Sequence, residues 1–456
     1  MRISTPKWTL FVICTLLISC TVDPKYVPKP RVEVPAKWHS KNNRLDIVHR
    51  HMACIPWWRQ FKDPILNDLI EAGLAYNNDI QMAVAHIEAA QGELKRVQWD
   101  WAPHLDSLLG YVSFPYLGYP GVIAVLLPTY TINIFKQIKA QKEATYALKI
   151  TQNMRDTVKL TVIAQISGSY FSYQAQSEQL ALLKVIEHDL NEKYQIYQAM
   201  YQNGIASDIE VARARSKLAL IQAEERVVAQ KKVVSQNMMR VLLNQNPEAF
   251  KFSRHFSQLD SHQIIVGGLP LAVIENRPDM QQATNALTAA NARIGEAFGH
   301  FLPTIQLGAA RGDIGTEPYG TKLGLPVYFN QALLQSTMMP LSNFGEWDRT
   351  KGLGKVAYYR YLDTFRKVLR DVDNGLSAHE YYTERLDKTV LAAHDLRAAY
   401  QLSAGLYQDG IISYLKLLDD KLSVDRINVH VNERKLDQLM MIVNLYQNLA
   451  VGYGCD

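Results

Sequence analysis

The sequence predicts a mainly α-helical protein that also carries short β-sections and is built twice from one repeating unit. Three observations predict it. The 18 prolines are unevenly placed, with none between Pro128 and Pro247 and none after Pro340. Proline costs a helix interior about 3 kcal/mol, so two long proline-free segments rich in Ala, Leu, Gln, Lys and Glu fit long unbroken helices. The stretches YQNGIASDIEVAR (201–213) and YQDGIISYLKLLD (407–419) say nearly the same thing twice. Between the helical segments, residues after Pro103 and Pro303 collect aromatics, Gly and Pro, and read as β-hairpins.

The chain begins with Arg2 and Lys7 around an apolar run, WTLFVICTLLISC (8–20), that is too short to span a membrane. This is a signal peptide over residues 1–19. Its end, LISC (17–20), resembles the bacterial lipobox, which implies cleavage before Cys20 and lipid attachment to that cysteine. Thr21, rather than Asp, follows the cysteine, and by resemblance to lipoprotein sorting this favours the outer membrane. Cleavage leaves Cys20, Cys54 and Cys455, and with Cys20 acylated the other two form a candidate disulfide in an oxidising compartment. The balance of 49 basic against 44 acidic residues, +5 overall, gives no concentrated basic face and argues against nucleic acid as a partner. After the signal the longest apolar run is VIAVLL (122–127), far below the roughly 20 residues of a spanning helix. Any membrane crossing must therefore be a closed β-barrel, which alone satisfies a non-helical backbone in lipid.

The first helical segment carries a heptad register. Val162, Ile166, Tyr173, Leu180, Leu183, Leu190, Tyr194, Tyr197 and Tyr201 fall on the a/d seam, and only Ser169, Gln176 and Glu187 break it. A helix from about 136 to 201 would be on the order of 100 Å long. Each long helix then meets a break. Gly204 suits the left-handed position that ends a helix and Ser207 the N-cap of the next; Gly410 and Ser413 repeat the arrangement. The two quoted stretches are therefore the tips of helical hairpins. The repeat extends beyond them: HDL (188–190) recurs at 394–396, and Asp79, Gln81, Ala83, Ala89, Ala90 and Pro103 recur as Asp279, Gln281, Ala283, Ala289, Ala290 and Pro303.

The β-sections, 103–135 and 303–344, have turns at LGYPG (117–121) and GDIGTEPYGT (312–321). Alternation within a strand is poor: VIAVLLP (122–128) is apolar throughout, and VYFNQALLQSTMMP (327–340) is irregular for a barrel strand. Two strands per copy give four per chain, whereas single-chain outer-membrane barrels start at about eight, so three chains would supply about twelve.

The chain resembles the outer membrane factor family, the TolC-like channels, and within it the lipidated NodT-type and OprM-type efflux lipoproteins. The resemblance rests on WWRQFKDPILNDLIEAGLAYNNDIQMAVAHIEAA (57–90), YTINIF (130–135), LPLAVIENRPDMQQATNALTAANARIGEAFGHFLPTIQL (269–307) and YQDGIISYLKLLDDKLSV (407–424). It implies a homotrimer with a 12-stranded membrane β-barrel and a long periplasmic α-helical coiled-coil barrel. The implied organisation is a lipidated equatorial segment (20–76), a first repeat (77–268; β-hairpin about 104–135, helical hairpin 136–246) and a second repeat (269–456; β-hairpin about 304–344, helical hairpin 345–449). The implied function is passive conduction of small molecules or drugs from an inner-membrane pump of RND type and a periplasmic adaptor to the exterior, with an iris-like opening of the helix tips. The family's gate positions correspond here to Leu415, Leu418 and Asp419, with Asp420 beside them, and a latch is implied at Asp208 and Arg213, an Arg213–Asp419 contact included. Three Asp419 carboxylates around a narrow pore would repel one another and favour cations.

HRHMAC (49–54) offers two His and one Cys, short of a four-ligand zinc site. No phosphate-cradling glycine loop, nucleophile elbow or HExxH is present, and no convergent catalytic set points to an enzyme or a cofactor. Within the channel reading, the duct of a type I protein secretion system is the alternative; outside it, a non-conducting structural envelope lipoprotein.

Overall fold

The computed structural model describes residues 27, 33, 52–113, 120–246, 256–259, 270–316, 323–335 and 341–454. The signal segment, Cys20, His49, His51 and Cys455 lie outside the described residues. In chain order the elements are α1 (Pro64–Tyr76), α2 (Asn78–Trp99), β1 (His104–Ser113), β2 (Pro120–Ile132), α3 (Ile134–Gln202), α4 (Asp208–Leu242), α5 (Pro270–Asn276), α6 (Pro278–Gly299), β3 (Thr304–Thr316), β4 (Leu323–Gln335), α7 (Leu341–Gln408) and α8 (Tyr414–Asn448). The duplication is plain in the order: α3 has 69 residues and α7 has 68, and α4 and α8 have 35 each. No described helix is long and apolar enough to cross a membrane. The chain divides into two compact units that cut across the repeats: 1–32, 85–153 and 281–364 in one, 33–84, 154–280 and 365–456 in the other.

The first unit holds the sheet. Its order is β1-β2-β3-β4, antiparallel throughout, so the pairing of β2 with β3 joins the two repeats and β1 and β4 form the edges. The segment that looked irregular as a strand is regularly paired as far as Gln335, from Leu323↔Thr316 to Gln335↔Thr304. Cross-strand partners share a face. Pairings such as Leu109↔Ala124, Val122↔Gly315 and Leu307↔Ala332 therefore place Leu105, Leu109, Tyr111, Val122, Leu126, Ile305, Leu307, Tyr328 and Leu334 on one face, all exposed. The opposite face carries His104, Asp106, Thr129, Thr131, Gln306 and Gln331, buries Val125 and Ala310, and also exposes Leu108, Phe329 and Leu333. Across the sheet one face is thus more apolar than the other, an asymmetry that single strands hide, with Leu108, Phe329 and Leu333 as exceptions on the second face. Arg311 and Asp313 break it; Arg311 lies on the apolar face and donates to Asn330 Oδ1 at 2.8 Å. In the same unit Asn133 caps α3, accepting from the Lys136 amide at 3.0 Å while donating to the Gly299 carbonyl at 3.0 Å, and Asn343 donates similarly to the His300 carbonyl at 3.1 Å.

The second unit holds the main core. Trp57, Phe61, Leu66, Ile70, Ile163, Ile166, Tyr170, Phe171, Met239, Leu439, Ile442 and Tyr446 are buried together, with Trp57 stacked on Tyr446 at a centroid distance of 4.7 Å. Asp63 caps α1 by accepting from the Ile65 amide at 3.1 Å, and its second oxygen accepts from Tyr170 Oη at 2.7 Å, tying the start of α1 to the middle of α3. α1 lies so close to α3 that a Cβ on Gly73 would meet Ile166 Cδ1 at 2.1 Å. The heptad seam is buried at Val162, Ile166, Tyr173, Leu183 and Leu190, while Tyr201 is exposed near the tip. Two of its polar breaks have partners on α4: Gln176 accepts from Ser235 Oγ and Glu187 from Gln222 Nε2, each at 2.9 Å. They are bonded positions within the packing.

Candidate functional site at the helical tips

The two tips are the same turn built twice. Gly204 adopts φ +71° and Gly410 φ +75°. Ile205 N donates to the Met200 carbonyl and Ile411 N to the Leu406 carbonyl, each at 2.8 Å, which closes the last helical turn. Ser207 then opens α4 with a capping box, its own amide donating to Glu210 Oε2 at 2.9 Å, and Ser413 opens α8 by accepting from the Lys416 amide at 3.3 Å. A Cβ at either glycine would meet nothing within 4 Å, so the backbone angle rather than space selects glycine.

Behind the tips, α3, α4 and α8 share an apolar seam of Leu183, Ile186, Leu190, Ile221, Val228 and Val429. Towards the tips the seam between α3 and α8 becomes charged. Lys421 Nζ donates to Asp189 Oδ1 at 2.7 Å, Lys193 donates to Asp419, and Tyr414 Oη donates to Glu192 Oε1 at 2.8 Å. The order is antiparallel, as the helices are: Asp189 precedes Lys193 on the way to one tip, and Lys421 follows Asp419 on the way from the other. Each of the two ion pairs buries one partner, Asp189 at 1% and Lys193 at 8% exposure, while Lys421 and Asp419 are 39% and 49% exposed. The hydrogen bond to Glu192 leaves the Tyr414 hydroxyl pushed up to about 12, so it stays a donor at neutral pH.

The sequence-predicted gate residues separate on this framework. Leu418 is buried and Leu415 half-buried, both on the first turns of α8. Asp419 is exposed beyond the Lys193 ammonium that it binds. Asp420 turns back to its own hairpin, accepting from Lys416 Nζ at 2.6 Å and Ser403 Oγ at 2.7 Å. Burial alone would raise the Asp420 pKa, and these two bonds outweigh it and lower it. Within the chain the expected Arg213–Asp419 contact is not made. Lys193 occupies the Asp419 carboxylate, Arg213 is exposed, and Asp208 sits exposed in the first turn of α4, where its charge suits the helix N-terminus. The Lys193 bond also offsets the Asp419 charge that an open carboxylate ring would present.

The sequence alone assigns no role to Lys193 or Glu192, gives Asp189 only as part of the repeated HDL, and leaves Lys421 as a neighbour of the gate positions with no fixed orientation. Asp189 and Lys193 stand one residue before the seam positions Leu190 and Tyr194, and that flanking spacing was the available signal. His188, Asp189 and Glu192 bring ligand atoms within 4.8 Å of one another, but Lys421 and Tyr414 already engage the two carboxylates, which leaves a poor metal site. The Cys54 thiol is exposed and donates to the Gly454 carbonyl at 3.4 Å, next to a bond from Gly454 N to the Ala53 carbonyl at 2.8 Å.

A family profile described as outer membrane efflux protein matches residues 69–245 and 269–451. The chain is 26% identical to a probable efflux pump outer membrane protein, TtgC, of Pseudomonas putida, over 98% of this chain and 95% of that one. It is 24% identical to nodulation protein T of Rhizobium leguminosarum bv. trifolii, over 99% of this chain and 97% of that one. Among solved structures, the open state of the Neisseria gonorrhoeae MtrE outer membrane channel superposes with a TM-score of 0.80 at 20% identity, covering 94% of this chain and 98% of that one. The Campylobacter jejuni CmeC outer membrane channel superposes with a TM-score of 0.78 at 18% identity, covering 94% and 95%. At such identities these two likenesses establish the fold.

Replacing Gly204 or Gly410 by Ala forces a side chain into the left-handed region at a cost of about 1–2 kcal/mol. Hydrogen exchange should rise at the substituted tip and leave the other tip unchanged. Unaltered protection in both variants would show that the turns do not depend on glycine.

Proposed function

The chain belongs to the outer membrane efflux protein family, and from that premise we propose that it is the outer-membrane duct of a tripartite efflux assembly. The observation that carries this is the sheet: four antiparallel strands whose edges, β1 and β4, have no further strand among the described residues. One of its faces exposes most of the large apolar side chains, Leu108, Phe329 and Leu333 being exposed on the other. Four strands are too few to close, and about twelve, from three copies, close a barrel. An apolar outer face then suits lipid, and a closed barrel leaves no backbone group unpaired there.

The duct works without chemistry of its own. A periplasmic adaptor and an inner-membrane pump of RND type would deliver small organic molecules to the tips, and the helices would open to admit them. The efflux pump names of the relatives favour this over protein export. Leu415 and Leu418 would constrict the periplasmic mouth, and Asp419 would line it. While Lys193 holds Asp419 the mouth is nearly neutral; when the pair parts, the carboxylates face the pore and favour cations. Asp208 and Arg213, exposed beside the first tip, would latch a neighbouring copy.

Lipid on Cys20 would anchor the mature N-terminus, and Cys54 and Cys455 would pair by thiol exchange with a disulfide donor in the oxidising periplasm. The bonds that hold Gly454 against Ala53 and Cys54 support that pairing.

Two measurements test this reading. Purified protein should cross-link as a trimer and form cation-selective pores in planar bilayers, with selectivity reduced in Asp419→Ala; a monomer without conductance would overturn the duct. Peptide mapping of protein purified without reductant should recover an acylated Cys20 and a linked 54–455 peptide. Free thiols at both Cys54 and Cys455 would exclude the disulfide.

A further inference from the structure

The seam behind the tips contains more acid than its cations can balance. Asp189 Oδ1 is taken by Lys421 Nζ at 2.7 Å, whereas Asp189 Oδ2 is buried with no hydrogen-bond partner among the described residues. Asp425 stands one helical turn beyond Lys421 on α8, and its own Oδ2 is likewise buried and unpartnered. Asp425 shares a face of α8 with the Lys421 that binds Asp189, which sets the two carboxyls beside each other at the α3–α8 seam. Two carboxylates have only acceptors to offer, so neither can satisfy the other while both are ionised.

We infer that a proton on Asp425 bridges its carboxyl to Asp189 and tightens the α3–α8 seam when the surroundings turn acidic. One proton on Asp425 supplies the missing donor to Asp189 Oδ2, removes the repulsion, and leaves Lys421 to neutralise the remaining charge. The other charged groups nearby are accounted for. On α3, His188 is exposed, Glu192 accepts from Tyr414, and Lys193 is committed to Asp419. On α8 these are Asp419 and Lys421 themselves, and α7 brings the Tyr400 hydroxyl near Lys421. Burial first, and the Asp189 charge second, push the Asp425 pKa up, with Lys421 opposing them. The sign follows. The packed seam holds the Asp425 proton more tightly than a separated seam would. Its stabilisation is therefore full below the ordinary Asp range and is lost as pH rises through the raised value.

This inference deepens the gate reading and rests on it for the consequence in a pore, while its test reads the seam alone. In the full-length protein in detergent, hydrogen exchange of the segments 185–195 and 415–427 is compared at about pH 4 and about pH 8, after correction for intrinsic rates. The wild type should exchange several-fold more slowly in acid. Asp425→Asn, whose amide supplies a permanent donor, should be slow at both pH values, and Asp189→Asn should also lose the pH dependence. An unchanged pH dependence in Asp425→Asn, or none in the wild type, would overturn the inference. So would protection restored at about pH 8 by millimolar Mg²⁺ or Ca²⁺, which would mark the oxygens as a cation site. A protein that shows the acid effect yet fails to conduct would sink the gate reading and leave the proton pair standing.

Discussion

The arrangement at the tips depends on how the seam between α3 and α8 changes character along its length. Leucine, isoleucine and valine fill it where the hairpins are to stay together. Nearer the tips the same two helices meet through Asp189–Lys421, Lys193–Asp419 and Glu192–Tyr414. Apolar packing carries no term that water or a partner can replace. An ion pair with one buried partner is different: desolvation offsets much of its attraction, and removing the exposed partner strands the buried charge. Such a seam is specific in register, and once water enters it loses little by parting. That suits a joint meant to open at one end and stay closed at the other.

Much of this was legible in the sequence, because local rules decide it. The proline-free segments became α3 with α4 and α7 with α8, and the glycine and serine of each tip adopted the angles and caps that their types imply. The heptad seam was legible because apolar spacing is a property of one helix. The charged seam was not. Lys193 and Asp419 are 226 residues apart, and Asp189 and Lys421 are 232 apart; on either helix alone each charge reads as solvated. The resemblance implies Arg213 as a partner of Asp419, whereas within the chain Lys193 takes that carboxylate. The sheet repeats the lesson. VIAVLLP looks uniformly apolar, and only its register with β1 and β3 separates the exposed Val122 and Leu126 from the buried Val125.

Duplication supplies the scaffold, and divergence supplies the asymmetry. Both hairpins keep tyrosine, glycine and serine at the turn, so both can end at the same level. At the positions beyond the turn, the first hairpin places exposed Asp208 and Arg213, while the second places Tyr414 and Asp419 against α3. The second tip is thereby tied to the first hairpin, and the first tip keeps its charges free for other partners.

The Lys193–Asp419 bond ties the two hairpins together near their tips. Single-channel conductance in planar bilayers tests it through a charge exchange. Lys193→Asp and Asp419→Lys should each give longer-lived and larger openings than the wild type, and the double variant, with the charges swapped across the seam, should return to the wild-type pattern. A double variant as open as either single one, or single variants no different from the wild type, would contradict it.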